Sequence, residues 1–427
     1  MVMALEGIKV IDCSQVAAVP MAARHLGDFG ADVIHIEHPV TGDFWRGFQE
    51  AQTDSGGGAC PSDFNYNWEQ FNRNKRSITL NLYTENGRAI MYKMVAQADV
   101  FLSNLRPFEL ERFKLDYETL GKINPRLIWG NITGYGKKGP EKDHPAYDTT
   151  AYWARGGIHS LFSMPGVPCI AYRPAFGDTV AGLALAYGIV QALYVREKTG
   201  VGQAVDVSLL HTGLYQLSFD VSGALITGKD IKDWREEPPL ELQQQSMAVI
   251  AQIVAFYAAR TKSPLTGTYL TKDMRSLLFV VLQPDRYWVK FCMAVGREDL
   301  TKNSKYDTIE GRAEDVVALR QAFAEIFVTK TLEEWIPLLD GIPYAPNQTL
   351  LEAVRDIQTR ENECLVSYEH PELGLIEQLA NPVKMSKTPA SVRMPAPEFG
   401  QHTEEVLLEH GYTWDDIAVF QEDGTIA

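Results

Sequence analysis

The sequence has no paired cysteine motif, no surplus of positive charge and no apolar run long enough to cross a bilayer. Its five cysteines (Cys13, Cys60, Cys169, Cys292, Cys364) are scattered, without a C-x-x-C pair. That argues against a disulfide framework or a zinc site and fits a reducing cytoplasm. Formal net charge is −15, the wrong sign for nucleic acid or an anionic membrane, both of which require a positive footprint. The most apolar stretch, Met247–Ala259, contains Gln252 and falls short of the ~20 residues of a spanning helix. The amino end, MVMALEGIKV, lacks the basic residues of a signal peptide and carries Glu6 where that peptide is apolar. A soluble, cytoplasmic chain with no metal centre and no tightly bound cofactor is expected.

Also missing is the helix that a dinucleotide-binding loop requires. Gly134, Gly136 and Gly139 in ITGYGKKGP have the spacing of such a loop and follow the strand-like RLIWGNI. After them come Pro140, Glu141, Lys142, Asp143, His144 and Pro145, which is loop chemistry. The acidic residue expected at the end of a second strand is absent too. The pattern argues against NAD and for a glycine-rich surface loop.

What is present alternates strand with helix. GIKVIDCS (7–14) and ADVIHIE (31–37) are β-branched runs of buried-strand type with helix formers between them, a βαβ unit. SITLNL (77–82), DVFLSNL (99–105) and RLIWGNI (126–132) continue the series around helical 85–98 and 109–123. The fold class is α/β, a Rossmann-like, mostly parallel sheet covered by helices. Ligands of such sheets lie at the carboxyl ends of the strands, here Ser14/Gln15, Glu37/His38, Asn104/Arg106 and Thr133/Gly134. A long helix over 179–198, lined with Ala and Gly, is expected to be buried against a close neighbour, and 199–210 turns into another strand. Beyond residue 220 the pattern loosens. Residues 232–245 read as a polar connector and 266–283 as a hairpin opening a smaller α+β domain, followed by helical 316–340. The expected division is 1–220, a large Rossmann-like domain; 225–345, a small α+β domain; and 346–427, a C-terminal segment returning to the large domain. Thr403 is expected to cap the last helix read, 402–411, with Gly411 as its stop.

Two carboxylates and five cations could carry chemistry. Asp178, at the start of the long helix, reads as an N-cap accepting first-turn N–H groups. Held ionised by those groups and by the helix dipole, it would also be a fixed carboxylate able to attack an activated acyl group. Both roles stand on the residues alone. Asp148, in PAYDTTAYWARGG, reads as an Asx-turn or another cap. Arg73, Lys75, Arg76, Arg106 and Arg112 flank predicted strands. Such runs are commonly solvated faces, yet on so acidic a chain they also suit a phosphorylated ligand. His144 and His159 lack metal-ligand spacing and read as structural or exposed.

The stretches 5–43 (LEGIKVIDCSQVAAVPMAARHLGDFGADVIHIEHPVTGD), NRNKRSITLNL, SNLRPFELERF, GNITGYG, FGDTVAG, EKTGVGQAVDVSLL and GQHTEEVLLEHGYTWDDI, in this order, resemble the class III CoA-transferases. That is the family of formyl-CoA transferase, carnitine CoA-transferase and the 2-hydroxyacyl-CoA transferases. The resemblance spans the chain apart from about residues 225–265. It implies that Asp178 is a nucleophile forming a mixed anhydride and then an aspartyl-CoA thioester, with coenzyme A as part of the substrate. Tyr147 and Asp148 would line the thioester, and the GYGKKGP loop would shape the acyl-CoA site. Asn104, Leu105, Arg106 and Arg112 would form a CoA-binding segment beside Leu80 to Tyr83, with Val16, Ala17 and His38 also against the CoA. Gly177 and Gly182 would leave room for the thioester and for donors to its oxyanion. The family further implies a ring-shaped chain in an intertwined dimer, homomeric or with a related chain.

Three departures shape the expected substrate. His38 stands where several members carry Arg; Ala17 replaces a polar residue of formyl-CoA transferase; and that enzyme's glycine-rich lid has no counterpart, residues 241–260 occupying the region. A small acid such as formate is disfavoured, and the apolar YWARGG and IVAFYAA point to a bulky acyl group. The aryl-2-hydroxyacyl-CoA and benzylsuccinate CoA-transferase branches are the most similar. They imply transfer from succinyl-CoA to a substituted succinate such as benzylsuccinate. Two alternatives remain. An α-methylacyl-CoA racemase of the same family would need His where Tyr147 stands. A CoA-binding partner subunit, inactive alone, is opposed by the presence of Asp178.

Overall fold

The computed structural model describes residues 2–47, 64–162, 173–230 and 262–427, so the readings at 232–245 and 241–260 lie outside the described residues. The larger of two compact units holds the parallel sheet and takes in residues 361–427. Its strands are β1 (Lys9–Cys13), β2 (Asp32–Glu37), β3 (Lys75–Thr79), β4 (Val100–Ser103), β5 (Ile128–Thr133) and β6 (Ala204–Ser208). They run in the order β3-β2-β1-β4-β5-β6, all parallel. The central strands β1, β2, β4 and β5 are largely buried because both faces are covered, whereas edge strand β3 is mostly polar and edge strand β6 is half-buried. Val10, Val100, Leu102 and Ile128 face α1 (Ala18–Asp28) and α6 (Phe176–Thr199). Ile11, Ile34, Phe101 and Trp129 face α3 (Glu85–Val95) and α7 (Thr403–Glu409). Between these lie α2 (Tyr66–Asn72), α4 (Pro107–Phe113) and α5 (Tyr117–Ile123).

The small residues of α6 do what their pattern demands, on one face only. A Cβ at Gly182 would lie 2.6 Å from the Ala18 carbonyl oxygen and 2.9 Å from the Met21 Cβ, so α1 crosses α6 at backbone contact. Gly182 therefore serves helix packing and does not make room for a thioester. Gly182→Ala is expected to destabilise the fold by about 1–3 kcal/mol in urea denaturation, the overpacking outweighing the better helix propensity. The opposite face is exposed, with Phe176, Leu183, Tyr187, Val190 and Tyr194 at the surface, which corrects the expectation of a buried helix.

The other unit runs from Glu236 to Arg360 and its described part contains a three-stranded antiparallel sheet. The 266–283 hairpin forms as Thr266–Leu270 against Ser276–Val280, with Tyr344–Pro346 added alongside. Its core is aromatic: Tyr269, Phe279, Trp288, Phe291, Phe323, Phe327 and Trp335. The boundary with the C-terminal segment falls at residues 360/361. Thr403 does not cap α7 with its side chain. Its Oγ1 accepts the Thr79 N–H at 3.0 Å, fastening the C-terminal segment to β3.

Candidate active site

The strand order reverses between β1 and β4, and such a switch point opens a crevice at the carboxyl ends of the strands. A cleft of about 660 Å³ lies there. All eight strand-end residues read from the sequence line it, together with Val16, Ala17, Leu80, Tyr83, Leu105, Tyr147, Asp148 and Asp178. Lys142 and His144 line it as well, so His144 is a cleft residue. The turn after β1, which is glycine-rich in dinucleotide-binding sheets, is Ser14-Gln15-Val16-Ala17 here. After β5 the chain forms turns and a π-helical segment, Thr149–Arg155, with no helix to receive a pyrophosphate.

Asp178 occupies the third position of α6, whose N-cap is Ala175 at φ +60°. It is not the cap. Asp148 does that work from 29 residues away, its Oδ1 accepting the Gly177 N–H at 2.9 Å. A Cβ at Gly177 would lie 2.4 Å from that oxygen and 2.2 Å from the Tyr152 ring, so this glycine admits Asp148 and Tyr152 to the helix end. Burial pushes the Asp178 carboxyl up to about 8, and the negative Asp148 beside it adds to the shift. The expectation of an Asp held ionised by first-turn N–H groups is thus reversed, because those groups are taken by Asp148. Asp148 itself is raised by burial to about 6, the Gly177 and Phe176 N–H groups partly offsetting the effect. Of the four carboxylates that line the cleft among the described residues, Glu37 is paired with Arg46, Glu109 with Arg106, and Asp148 holds Gly177. Asp178 alone makes no ion pair or hydrogen bond among the described residues. Trp153 and Phe176, ring centroids 5.3 Å apart, stand beside this end of the helix.

The turn after β1 is fixed from three sides. Asn104 donates to the Gln15 carbonyl at 2.7 Å and accepts the Gln15 N–H at 3.1 Å. Both Asp43 oxygens accept the Val16 N–H, at 3.1 and 3.2 Å. Ser14 donates to Asp12. Val16 has φ +70°, a conformation that costs a β-branched residue about 1–3 kcal/mol. Helix α1 follows directly, with no side-chain cap and no acid in its first turn. Beneath the turn, His35 Nδ1 lies 2.9 Å from Asp12 and its Nε2 lies 3.4 Å from Asp43. Lys75 Nζ lies 2.9 Å from Asp12. Burial opposes charge on His35, but Asp12 and Asp43 push the imidazole up to about 9.

Across the cleft, Tyr83 packs edge-on against Phe113 at 5.0 Å and His38 at 6.3 Å, and the Arg112 guanidinium lies 4.9 Å from its ring centroid. Arg112 reaches this rim without lining the cleft wall. His38 Nδ1 accepts the Val40 N–H at 3.2 Å. Arg106 is paired with Glu109 and stacks on Phe108 at 4.6 Å. The expected rim of five cations does not form. Arg73 is buried against Asp28, Lys75 against Asp12, and Arg76 pairs with Asp32 and Glu409. These three lead into the amino end of β3 or begin it, whereas the cleft lies at its carboxyl end. No sequence pattern marked Asp12, His35 and Asp43, because a buried ion cluster has no local spacing.

A parallel sheet with its crevice at the switch point, lined by an unpaired carboxylate and an aromatic rim, is the ligand site of an α/β enzyme. The chain belongs to CoA-transferase family III, whose profile matches residues 5–403, and it is a CoA-transferase. It is 33% identical to (R)-2-hydroxy-4-methylpentanoate CoA-transferase of Clostridioides difficile, over 99% of this chain and 100% of that one. It is 34% identical to cinnamoyl-CoA:phenyllactate CoA-transferase of Clostridium sporogenes, over 98% and 96%. It is 32% identical to the succinyl-CoA–L-malate CoA-transferase beta subunit of Chloroflexus aurantiacus, over 95% and 93%. A CAIB/BAIF family protein from Brucella suis has the same fold, with TM-score 0.75, 25% identity and coverage of 96% and 100%.

Proposed function

We propose that the protein moves coenzyme A from succinyl-CoA to a bulky carboxylic acid, such as benzylsuccinate or a related substituted succinate, through covalent intermediates on Asp178. The observation that carries this reading is the unpaired Asp178 carboxylate in the cleft. Its deprotonated oxygen attacks the thioester carbonyl, the C–S bond breaks, and a mixed anhydride and CoA thiolate form. The thiolate attacks the aspartyl carbonyl of the anhydride, the C–O bond breaks, and the donor acid leaves behind an aspartyl-CoA thioester. The acceptor carboxylate then attacks this thioester, and the released thiolate takes the new acyl group, regenerating Asp178. No net proton is exchanged. Val16, Ala17, His38, Leu80, Tyr83, Asn104, Leu105, Arg106, Arg112, Tyr147 and Asp148 would surround the CoA moiety, with Tyr83 and Arg112 as the stacking rim. Asn104 would act mainly through its grip on Gln15. Trp153 and Phe176 support an apolar acyl pocket, and the relatives named for phenyllactate and succinyl-CoA support this donor and acceptor size.

The test is a competition of acids with succinyl-CoA as donor, product acyl-CoAs being separated by chromatography. Benzylsuccinate is expected to exceed formate in kcat/KM by at least about 100-fold, since an unfilled apolar pocket forfeits several methylene groups of binding. Equal use of formate would defeat the substrate assignment.

We take the working species as a dimer. The exposed faces of α6 and of helix Ser218–Thr227, with Phe219, Leu225 and Ile226 outermost, support this as a surface for a second chain of the same kind. A relative named as a beta subunit favours a second reading, in which the companion is a related chain. Light scattering with an activity assay separates the two: an active homodimer supports the first, activity only after adding the companion the second.

A further inference from the structure

We propose that Lys75, Asp12, His35 and Asp43 form a positioning device that holds the Ser14–Ala17 turn in the conformation needed for CoA transfer on Asp178; this rests on the reading of Asp178 above. None of the four lines the cleft, and all are essentially without solvent exposure. They form one connected chain across three neighbouring strands, from Lys75 at the start of β3 through Asp12 on β1 and His35 on β2 to Asp43 in the loop beyond. Its two carboxylates end on the turn: Asp12 takes the Ser14 hydroxyl, and Asp43 takes the Val16 N–H with both oxygens.

The turn needs such a hold. At φ +70° a glycine would rest unaided, whereas Val16 must be kept there by its surroundings. Trp45 N–H donates to Asp43 at 2.8 Å and Glu37 accepts the Asp43 N–H at 3.0 Å, so the carboxylate is itself immobile. Stability alone does not explain four buried charges, because well-packed apolar residues of similar volume commonly do as well or better. What a buried ion network supplies is one rigid arrangement. Here that arrangement fixes the backbone of residues 14–17 along the cleft wall, at the uncapped start of α1.

Asp43→Asn, His35→Gln and their combinations with Val16→Gly test this in the full-length enzyme, with kcat, the dissociation constant of free CoA, circular dichroism and Tm as readouts. Asp43→Asn is expected to lower kcat by about 30-fold or more and to raise the CoA dissociation constant by a clearly smaller factor, since Val16 and Ala17 are only two of the residues around the CoA. Adding Val16→Gly is expected to recover about tenfold of the loss, because glycine adopts the required φ by itself. If Asp43→Asn does not fold, His35→Gln leaves Asp43 on Val16 and should show a smaller loss with the same rescue. Unchanged kcat in the folded variants would overturn the proposal, and so would a parallel fall of kcat, CoA binding and Tm with no rescue by glycine. Wild type that never forms a CoA adduct would instead remove the Asp178 reading, and this inference with it.

Discussion

Asp178→Ala is expected to lower kcat/KM for CoA transfer by at least about 10⁴-fold while leaving the affinity for free CoA within about threefold. Both covalent intermediates of the proposed mechanism require this one oxygen nucleophile. Among the described residues no other cleft carboxylate can stand in: Glu37 and Glu109 are held by arginines, and Asp148 by the end of α6. Asp178→Asn should fail equally, which separates loss of the nucleophile from loss of shape. Steady-state kinetics beside calorimetric CoA titration checks the pair. Weakened CoA binding in step with activity would mean that Asp178 binds substrate and does not react.

Transfer should also depend steeply on pH. With the Asp178 carboxyl at about 8 in the free protein, kcat/KM for the acyl-CoA donor is expected to rise about tenfold per pH unit below that value and level off above it. The sign for stability is opposite. The folded chain keeps a proton on Asp178 that the unfolded chain releases near 3.8, so this group withdraws stability as pH rises from about 4 to about 8, with no further change above. Asp178→Asn should therefore melt higher than wild type at pH 8.5, with the gap closing towards pH 4. Asp148→Asn, which keeps an acceptor for the Gly177 N–H but removes the neighbouring charge, should move the kinetic inflection to lower pH. It should not bring it to the usual carboxylate range, since burial is the larger cause. A flat profile from pH 6 to 9 would mean that the donor reacts with an already ionised Asp178.

The sheet was legible because a strand covered on both faces must be apolar throughout, as in Val10-Ile11 and Val100-Phe101-Leu102. The strand ends followed from that, and they do line the cleft. What sequence could not show was how charges pair across distance. Lys75 and Arg73 looked like ligand cations because their partners, Asp12 and Asp28, lie 63 and 45 residues away. Asp178 looked like a cap for the same reason: the residue that serves the α6 end, Asp148, arrives from before the π-helical segment. The one-sided burial of α6 was hidden by composition, since an Ala- and Gly-lined face and an exposed apolar face read alike in a linear pattern.

The most direct measurement is intact-protein mass spectrometry of wild type and Asp178→Ala after brief exposure to succinyl-CoA, with peptide mapping of any adduct. The expected result is wild type heavier by one CoA less one water, the label on the peptide containing Asp178, and no label on the variant. A label on another residue, or full transfer activity in Asp178→Ala, would contradict the aspartyl-CoA mechanism.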